Sequence, residues 1–307
     1  MSQADDETSL DTPLDPRVHP YRDDIAADFL DGRVEAKTFV AGKEKRAGAP
    51  WTPVMSKPVA AESVSGSGGS QVLQATELLF GEAFTVFEDK DGWSWGQCGP
   101  DGYVGYVKST DLFVALPEPT HWVSAVSSLV FPDPKGEYPP LMRLSMMAGM
   151  AVDTVEGEFA RLASGGWIFN KHIAHLNDTR SDFVATAGMF NRAPYLWGGR
   201  GGQGIDCSGL VQVPLAAAGV LVPRDSDQQA GAIGEDLGVP EDLGELLPGD
   251  IVFFPGHVGF YLGSSALLHA SSHDMMVVIH SLDVVIERMV ERHGRGITRV
   301  RRVAETD

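Results

Sequence analysis

Cys207 is the residue whose type and position in this chain most directly suggest chemistry. It lies in GIDCSGLVQ, residues 204–212, after a glycine-rich loop and at the start of a predicted helix. Free N–H groups and the helix dipole at such an end favour a thiolate and could bind an oxyanion, so we expect a lowered thiol pKa. Because cysteine is also common in protein cores, Cys207 alone does not distinguish a nucleophile from an apolar core residue.

Two histidines supply the base and the orienting group that a cysteine nucleophile needs. His257 begins the predicted strand GHVGFYLG, and His269 follows in LLHASSH. A strand, a short loop and a return strand would place these residues side by side, with His257 facing Cys207 and His269 holding the far ring nitrogen of His257. We interpret the remaining histidines, including His273 and His280, as structural.

From about Asp182 onward, the sequence predicts the helices and strands that would position these residues, in an α+β arrangement. Helical periodicity is present in DFVATAGMFN and in CSGLVQVPLAAAG, where Pro214 should kink the helix. Strands are predicted in DIVFFP, HVGFYLG, ALLHAS, MMVVIHSL and GITRVRRV, with a helix in LDVVIERMVERH. A helix that carries the cysteine would then pack on an antiparallel sheet that carries the histidines.

The preceding residues divide into a leader and two β units. Residues 1–58 read as a largely extended leader with a short helix in RDDIAADFLDG. Residues 59–116 and 117–178 contain short strands broken by glycines, which is typical of small β-barrels. The two units correspond loosely at their ends, GYVGYVKSTDL in the first and GGWIFNKHIAHL in the second.

Six motifs in one order resemble the NlpC/p60 family of cysteine peptidases. They are PYLWGG, DCSGLVQ, PRDSDQQ, PGDIVFF, HVGFYLG and LLHAS, and the resemblance covers roughly residues 182–307. It implies a papain-like catalytic domain, which we assign to residues 179–307, and hydrolysis of bacterial cell-wall peptides. It also implies that Cys207 is the nucleophile, His257 the base and His269 the orienting residue, with Tyr195 beside the nucleophile.

The two β units resemble bacterial SH3 domains, with GEAFTV and DGYVGYV as the signature in the first. Two such units before this catalytic domain resemble the γ-D-glutamyl-L-diamino acid endopeptidases of peptidoglycan recycling. That resemblance implies a murein tri- or tetrapeptide substrate with a free N-terminal L-alanine. It further implies an ammonium pocket, with Asp225 binding the α-amino group, Ser226 assisting, Asp206 and Ser208 lining the pocket, and Tyr103 and Glu82 supplied by the SH3-like wall.

Two of these pocket residues have plainer interpretations, and a third is a choice between two tyrosines. Asp225 could be an N-cap or turn residue in PRDSDQQ, and Glu82 could lie in a solvated turn. Strand alternation places Tyr103 and Tyr106 on opposite faces, so only one of them can face the cleft, and we choose Tyr103. A buried ammonium needs compensating charge and hydrogen bonds, which the pocket would supply. A capped or internal peptide lacks that charge and would leave Asp225 unpaired, so it would be rejected.

Charge and composition exclude several classes of partner. The 24 Lys and Arg residues against 42 Asp and Glu give a formal charge of −18, which disfavours nucleic acids and anionic membrane surfaces. The acidic N-terminus does not read as a signal peptide, and no apolar run could span a bilayer, so we expect a cytoplasmic protein. No metal or cofactor is expected. Arg192, Arg200 and Arg224 lie near the cysteine motif, and we expect at least two of them to be surface charges.

Three functional hypotheses follow. The first is a cysteine endopeptidase that recycles free murein peptides. The second is a wall-remodelling hydrolase that acts on intact peptidoglycan with the same three catalytic residues. The third is a binding protein whose SH3-like units recognise peptides while its catalytic domain is spent.

Overall fold

A computed structural model describes residues 13–58, 73–201 and 203–304 of the chain. The first twelve residues of the expected leader, and residues 59–72 at the start of the expected first β unit, lie outside the described residues. Among the described residues, no helix is both long enough and apolar enough to cross a bilayer.

The N-terminal segment packs against the first β unit. Strand β1 (Ala26–Ala27) pairs in parallel with β2 (Phe39–Val40), and the short helix expected in RDDIAADFLDG is a single 3₁₀ turn, Asp28–Leu30. Ala27 and Leu30 are buried in a cluster with Phe87 and Trp95 of the first unit. The segment is therefore anchored by apolar burial rather than by helix formation.

The first β unit is a seven-stranded sheet whose hydrogen-bonded order is β5-β4-β8-β7-β6-β3-β9. Its strands are β3 (Lys43–Ala47), β4 (Trp51–Met55), β5 (Gln74–Leu79), β6 (Ala83–Lys90), β7 (Trp93–Cys98), β8 (Val104–Lys108) and β9 (Leu112–Phe113). Because this order is open, the expected closed barrel is not confirmed. The sheet also starts earlier than the expected boundary at residue 59, since β4 pairs with β5 across that boundary.

A two-residue turn shows why two of these strands form a hairpin. Asp91 and Gly92 join β6 to β7, and both have positive φ angles of 51° and 81°. Two consecutive positive φ values match the right-handed twist of the flanking strands, and Asp-Gly adopts them readily.

The second β unit forms two sheets, with orders β12-β11-β16-β15-β14 and β13-β10-β17. Its strands are β10 (His121–Val123), β11 (Ser127–Phe131), β12 (Met142–Ser145), β13 (Gly149–Met150), β14 (Val152–Glu156), β15 (Phe159–Leu162), β16 (Trp167–Phe169) and β17 (Ile173–His175). Both units end in the same succession of strand, one 3₁₀ turn and strand, as their loosely similar ends predicted.

The C-terminal part combines four helices with a six-stranded antiparallel sheet of order β20-β25-β21-β22-β23-β24. Its elements are α1 (Phe183–Gly188), β18 (Arg200–Gly201), β19 (Gly204–Ile205), α2 (Cys207–Ala217), α3 (Ser226–Ala232), β20 (Glu235–Gly238), β21 (Ile251–Phe254), β22 (His257–Gly263), β23 (Ala266–Ser271), β24 (Met276–Ser281), α4 (Leu282–His293) and β25 (Arg299–Arg302). The predicted helices and strands are all present, and the α+β expectation is confirmed for this part.

Helix α2 positions the cysteine against this sheet. Leu210 and Val211 are fully buried and pack in one core cluster with Phe253, Val258 and Phe260 of β21 and β22. The helix continues through Pro214 to Ala217, because burial around most of its circumference outweighs the hydrogen bond that proline lacks.

Candidate active site

Cys207 is the first residue of α2, and its side chain is buried, with 9% of the residue exposed. The preceding Asp206 caps the helix through a 2.7 Å hydrogen bond that its Oδ1 accepts from the Gly209 N–H. The backbone of Val258 lies close enough to the thiol to lower its pKa, which places Cys207 against β22 next to the residue that follows His257. The predicted placement of the cysteine at a helix N-terminus facing the histidine strand is therefore observed.

The expected lowering of the thiol pKa is wrong. Burial raises the pKa of Cys207 to about 12, and the adjacent Asp206 carboxylate raises it further, while backbone hydrogen bonds from Val258 and Ser208 and the charge of Arg224 oppose this only partly. The reason is that a thiolate at this site would lose its hydration, and a helix N-terminus does not compensate for that loss. The resting cysteine is therefore a neutral thiol.

The two predicted histidines contact each other directly. Nε2 of His257 on β22 lies 2.8 Å from Nδ1 of His269 on β23, and the rings meet edge to face at 78°. Burial lowers the pKa of His257 to about 4 and that of His269 to about 3, so both rings are neutral near pH 7. A neutral base beside a neutral thiol requires the proton to move during nucleophilic attack rather than before it.

A third histidine, interpreted above as structural, extends this pair. Nε2 of His269 lies 3.1 Å from Nδ1 of His280 on β24. The strand register could have revealed this residue, because His269 pairs with Val278 and His280 lies two residues further along the same face. His273, in contrast, lies on the β23–β24 turn and lines a cavity beside the histidines.

Asp225 and Tyr103 meet between the C-terminal part and the first β unit. The Tyr103 hydroxyl donates a 3.1 Å hydrogen bond to Oδ2 of Asp225, and Arg17 of the N-terminal segment donates a 2.8 Å bond to the same oxygen. Asp225 immediately precedes α3, but its carboxylate forms no capping hydrogen bond, so capping does not explain its side chain. Burial raises the pKa of Asp225, and its side chain remains 26% exposed. Ser226 opens α3 and is half-buried.

Arg224 contacts both Asp206 and Ser208, the two residues expected to line the pocket beside the cysteine. Arg224 bonds to the two carboxylate oxygens of Asp206 at 3.0 and 2.7 Å and to the Ser208 hydroxyl at 2.7 Å. It also donates a 2.9 Å hydrogen bond from Nε to Thr76 on β5. With 1% of its surface exposed, Arg224 is not the expected surface charge.

Glu82, expected in the pocket wall, is held by contacts with its neighbours. Its carboxylate accepts a 2.8 Å bond from the Leu79 N–H and pairs with Arg200 at 3.1 Å. Both side chains are nearly buried, so the solvated-turn interpretation of Glu82 and the surface interpretation of Arg200 are wrong. Arg192 alone of the three arginines is exposed, and the expectation of at least two surface arginines therefore fails.

Tyr195 lies near Cys207. It is half-buried against the core cluster that contains Cys207. Burial raises the pKa of its hydroxyl, and the neighbouring Cys207 and Asp206 raise it further. The site thus combines a buried thiol, a neutral histidine pair and a nearby tyrosine, an arrangement suited to nucleophilic acyl transfer. In the parts of the chain that the structure describes, no group of three or more His, Cys, Asp or Glu side chains suits a metal ion.

Comparison with known proteins identifies two regions of the chain. Residues 192–294 match the NlpC/P60 family, and residues 71–112 match the bacterial dipeptidyl-peptidase Sh3 domain. Among relatives, Dipeptidyl-peptidase 6 of Lysinibacillus sphaericus is 36% identical over 137 residues, or 43% of this chain, and the match spans about half of that protein (48%). Gamma-D-glutamyl-L-lysine dipeptidyl-peptidase of Bacillus subtilis (strain 168) is 27% identical over 238 residues, covering 69% of this chain and 77% of that protein.

A solved structure supports the fold across most of the chain. The crystal structure of an NlpC/P60 family protein from Bacillus cereus ATCC 10987 superposes with a TM-score of 0.67. The likeness covers 85% of this chain and 99% of that one, at 19% identity. At this identity the likeness establishes the fold, and the chemistry must be argued from the residues.

Proposed function

Since this chain carries an NlpC/P60 domain preceded by a bacterial dipeptidyl-peptidase Sh3 domain, we propose that it is a cysteine peptidase. Its substrates would be murein tri- or tetrapeptides with a free N-terminal L-alanine, cut at the γ-D-glutamyl–diamino acid bond. The observation that carries the proposal is the contact between His257 and His269 beside the buried thiol of Cys207. The names of the Lysinibacillus and Bacillus relatives support the reaction class.

The catalytic steps follow from the positions of the three residues. Sγ of Cys207 attacks the γ-carbonyl carbon of D-glutamate while His257 takes the thiol proton through Nδ1, because Nε2 is bonded to His269. The carbonyl oxygen becomes an oxyanion beside the backbone N–H groups at the start of α2. The C–N bond then breaks, and the nitrogen leaves as the amine of the diamino acid with the proton from His257.

The second half-reaction returns the enzyme to its starting state. The D-glutamyl group is now a thioester on Cys207. Water, deprotonated by the neutral His257, attacks this thioester. The C–S bond breaks, Sγ of Cys207 takes the proton back from His257, and the L-alanyl-D-glutamate dipeptide leaves with a free γ-carboxylate. Because the pKa of Cys207 is about 12 and that of His257 about 4, no thiolate–imidazolium pair is needed at rest.

Selectivity for a free amine is assigned to Asp225 and Tyr103. An ammonium group at this position would gain a charge-assisted hydrogen bond to the half-buried Asp225 carboxylate. A peptide with a blocked amine would leave that carboxylate without a cationic partner from the substrate, at a cost in binding. Free amines occur on released wall peptides, so the proposal includes a role in recycling such peptides in the cytoplasm.

The deciding experiment compares four synthetic peptides by mass spectrometry. They are L-Ala-γ-D-Glu-meso-diaminopimelate, its L-lysine counterpart and the N-acetylated copy of each. We expect release of the diamino acid from the free peptides and from neither acetylated copy, and no release by Cys207→Ala that is shown to be folded by circular dichroism. Turnover by Cys207→Ala would contradict the mechanism.

Two other outcomes point to the other hypotheses. Equal cleavage of free and acetylated peptides would retain the peptidase and contradict the ammonium pocket. Cleavage of none of the peptides, together with release of fragments from purified sacculi, would favour a hydrolase of intact peptidoglycan. Inactivity on both substrates would favour a spent peptide-binding protein.

A further inference from the structure

Three imidazole rings form a continuous hydrogen-bonded row behind the catalytic cysteine. Nε2 of His257 meets Nδ1 of His269 at 2.8 Å, and Nε2 of His269 meets Nδ1 of His280 at 3.1 Å. The row crosses three adjacent strands, β22, β23 and β24. At its far end Nη1 of Arg288, on α4, lies 3.4 Å from Nδ1 of His280, and Oδ2 of Asp274 lies 3.8 Å from Nε2 of His280.

The arginine determines the direction in which this row of hydrogen bonds runs. A guanidinium group has only donors, so Nδ1 of His280 must be an acceptor, and a neutral His280 then carries its proton on Nε2. Nε2 of His269 faces the same acceptor atom and must donate to it, which leaves Nδ1 of His269 unprotonated. By the same reasoning Nε2 of His257 donates to His269, and Nδ1 of His257 is left without a proton.

The acidic side of the row supports the same order. Asp274 is an acceptor, held by a 2.5 Å bond from the Ser271 hydroxyl, and this bond lowers the pKa of Asp274. Its carboxylate lies toward the protonated Nε2 of His280 and 3.7 Å from Arg288. His273, on the same turn, is a further titratable group near Asp274, and its charge also lowers the pKa of Asp274. A neutral row with every proton on Nε2 thus turns the acceptor Nδ1 of His280 toward Arg288 and its donor Nε2 toward Asp274.

The opposite order would disable the catalytic base. If Nδ1 of His280 carried the proton, it would donate a hydrogen bond to Nε2 of His269. Nδ1 of His269 would then carry a proton as well and donate a hydrogen bond to Nε2 of His257. Nδ1 of His257 would then hold the proton and could not take another from Cys207. The wrong tautomer of a catalytic histidine is known to be costly even when the geometry is intact.

We infer that His280, held by Arg288 and Asp274, is a positioning residue that fixes the tautomers of His269 and His257, so that Nδ1 of His257 is the unprotonated atom. This inference rests on the proposed function only for its effect on turnover. The tautomers themselves are properties of the folded protein. They can be measured without any substrate, so the two proposals can fail separately.

The test is ¹⁵N NMR of histidine-labelled protein near pH 7, where two-bond correlations distinguish the two neutral tautomers. In the wild-type protein we expect the Nε2–H form for His257, His269 and His280. Arg288→Met removes the donor and should allow a mixture of tautomers along the row. Arg288→Lys keeps a donor and should restore the Nε2–H form at least in part. Detection of Nδ1–H on His257 in the wild-type protein would overturn the inference.

Kinetics provide the second readout, with a control on the same helix. Arg292 lines the same cavity beside the histidines. Arg292→Met should leave the tautomers and kcat unchanged. Arg288→Met should lower kcat about tenfold, corresponding to roughly one lost hydrogen bond, with KM unchanged and a shifted pH profile. Unchanged tautomers and an unchanged pH profile in folded Arg288→Met would contradict the role of Arg288, and the same result in folded Asp274→Asn would contradict that of Asp274.

Discussion

Tyr103 and Asp225, separated by 122 positions in the chain, are joined by a 3.1 Å hydrogen bond from the tyrosine hydroxyl to the carboxylate. Tyr106 points elsewhere, since its hydroxyl accepts a 3.0 Å bond from Arg22 of the N-terminal segment. The choice of Tyr103 over Tyr106 therefore agrees with the structure. The bond also places a residue of the first β unit directly on the carboxylate to which we assign amine selectivity.

Neutralising Asp225 should weaken binding of free-amine peptides. Asp225→Asn removes the charge that would pair with the ammonium, and a hydrogen bond between charged groups is worth about 1.5–3 kcal/mol. We expect kcat/KM for the free peptide to fall by roughly 10- to 100-fold, mainly through KM. Asp227→Asn is the matched control, because Asp227 also pairs with Arg17 but its side chain is 65% exposed. Equal losses in the two variants would argue against a specific ammonium site.

Arg17 should oppose substrate binding, because its guanidinium already pairs with Asp225 at 2.8 Å. An incoming ammonium must share or displace this cation. Exposed ion pairs are worth about 0.2–1 kcal/mol, so Arg17→Gln should lower KM by up to about fivefold with little change in kcat. Steady-state kinetics on the free peptide measure this, with the exposed Arg33→Gln as control. A rise in KM would instead mean that Arg17 orients Asp225 for the substrate.

The thiol should react slowly with iodoacetamide at neutral pH. Because burial raises the pKa of Cys207 to about 12, only a small fraction of the thiol is ionised below that pH, and only this thiolate fraction reacts. The alkylation rate should therefore rise about tenfold per pH unit from pH 8 to roughly pH 11. Mass spectrometry in a Cys98→Ala background isolates Cys207. A plateau below pH 8 would indicate a thiolate–imidazolium pair in the free enzyme and contradict the neutral resting state.

Arg224 should be essential for stability. Arg224→Met leaves the Asp206 carboxylate buried without its cationic partner, and breaking a buried pair in this way costs about 3–5 kcal/mol in the free energy of unfolding. Chemical denaturation measures the loss. Asp206→Asn combined with Arg224→Met should recover part of it, because the unpaired charge is removed. Arg192→Met, at an exposed position, should change the free energy of unfolding by less than about 0.5 kcal/mol. An equally small change in Arg224→Met would contradict a stabilising role for the buried pair of Arg224 and Asp206.

Local pattern predicted the helices and strands of the C-terminal part. Strand and helix periodicity in the motifs around Cys207, His257 and His269 is a property of short segments, and the structure contains the corresponding elements. Long-range pairing was not predictable in the same way. Strands β3 and β4 were assigned to an extended leader because their partners lie beyond residue 59, and nothing local marks that pairing.

Burial was the main physical quantity that the sequence could not supply. Arg200 and Arg224 are charged residues near a glycine-rich loop, which on composition alone indicates solvent exposure. Their burial depends on Glu82 and Thr76, more than a hundred residues earlier in the chain. The prediction of a lowered thiol pKa was wrong for the same reason. The sequence shows that Cys207 begins a helix, but it does not show that the thiol is removed from water.

The hydrogen bond from Arg224 to Thr76 bears on whether the C-terminal part can fold as a separate module. From the C-terminal part, Arg224 bonds to Thr76 on β5 and Arg200 pairs with Glu82. The first β unit therefore covers the loop that holds Asp206 and Cys207. A fragment beginning at residue 179 would lose Glu82 and Thr76 and expose the guanidinium groups of Arg200 and Arg224 beside the loop that holds Asp206 and Cys207. Recombination that exchanged the first β unit without the C-terminal part would separate the two arginines from Thr76 and Glu82. We therefore expect the residues on the two sides of this contact to evolve together.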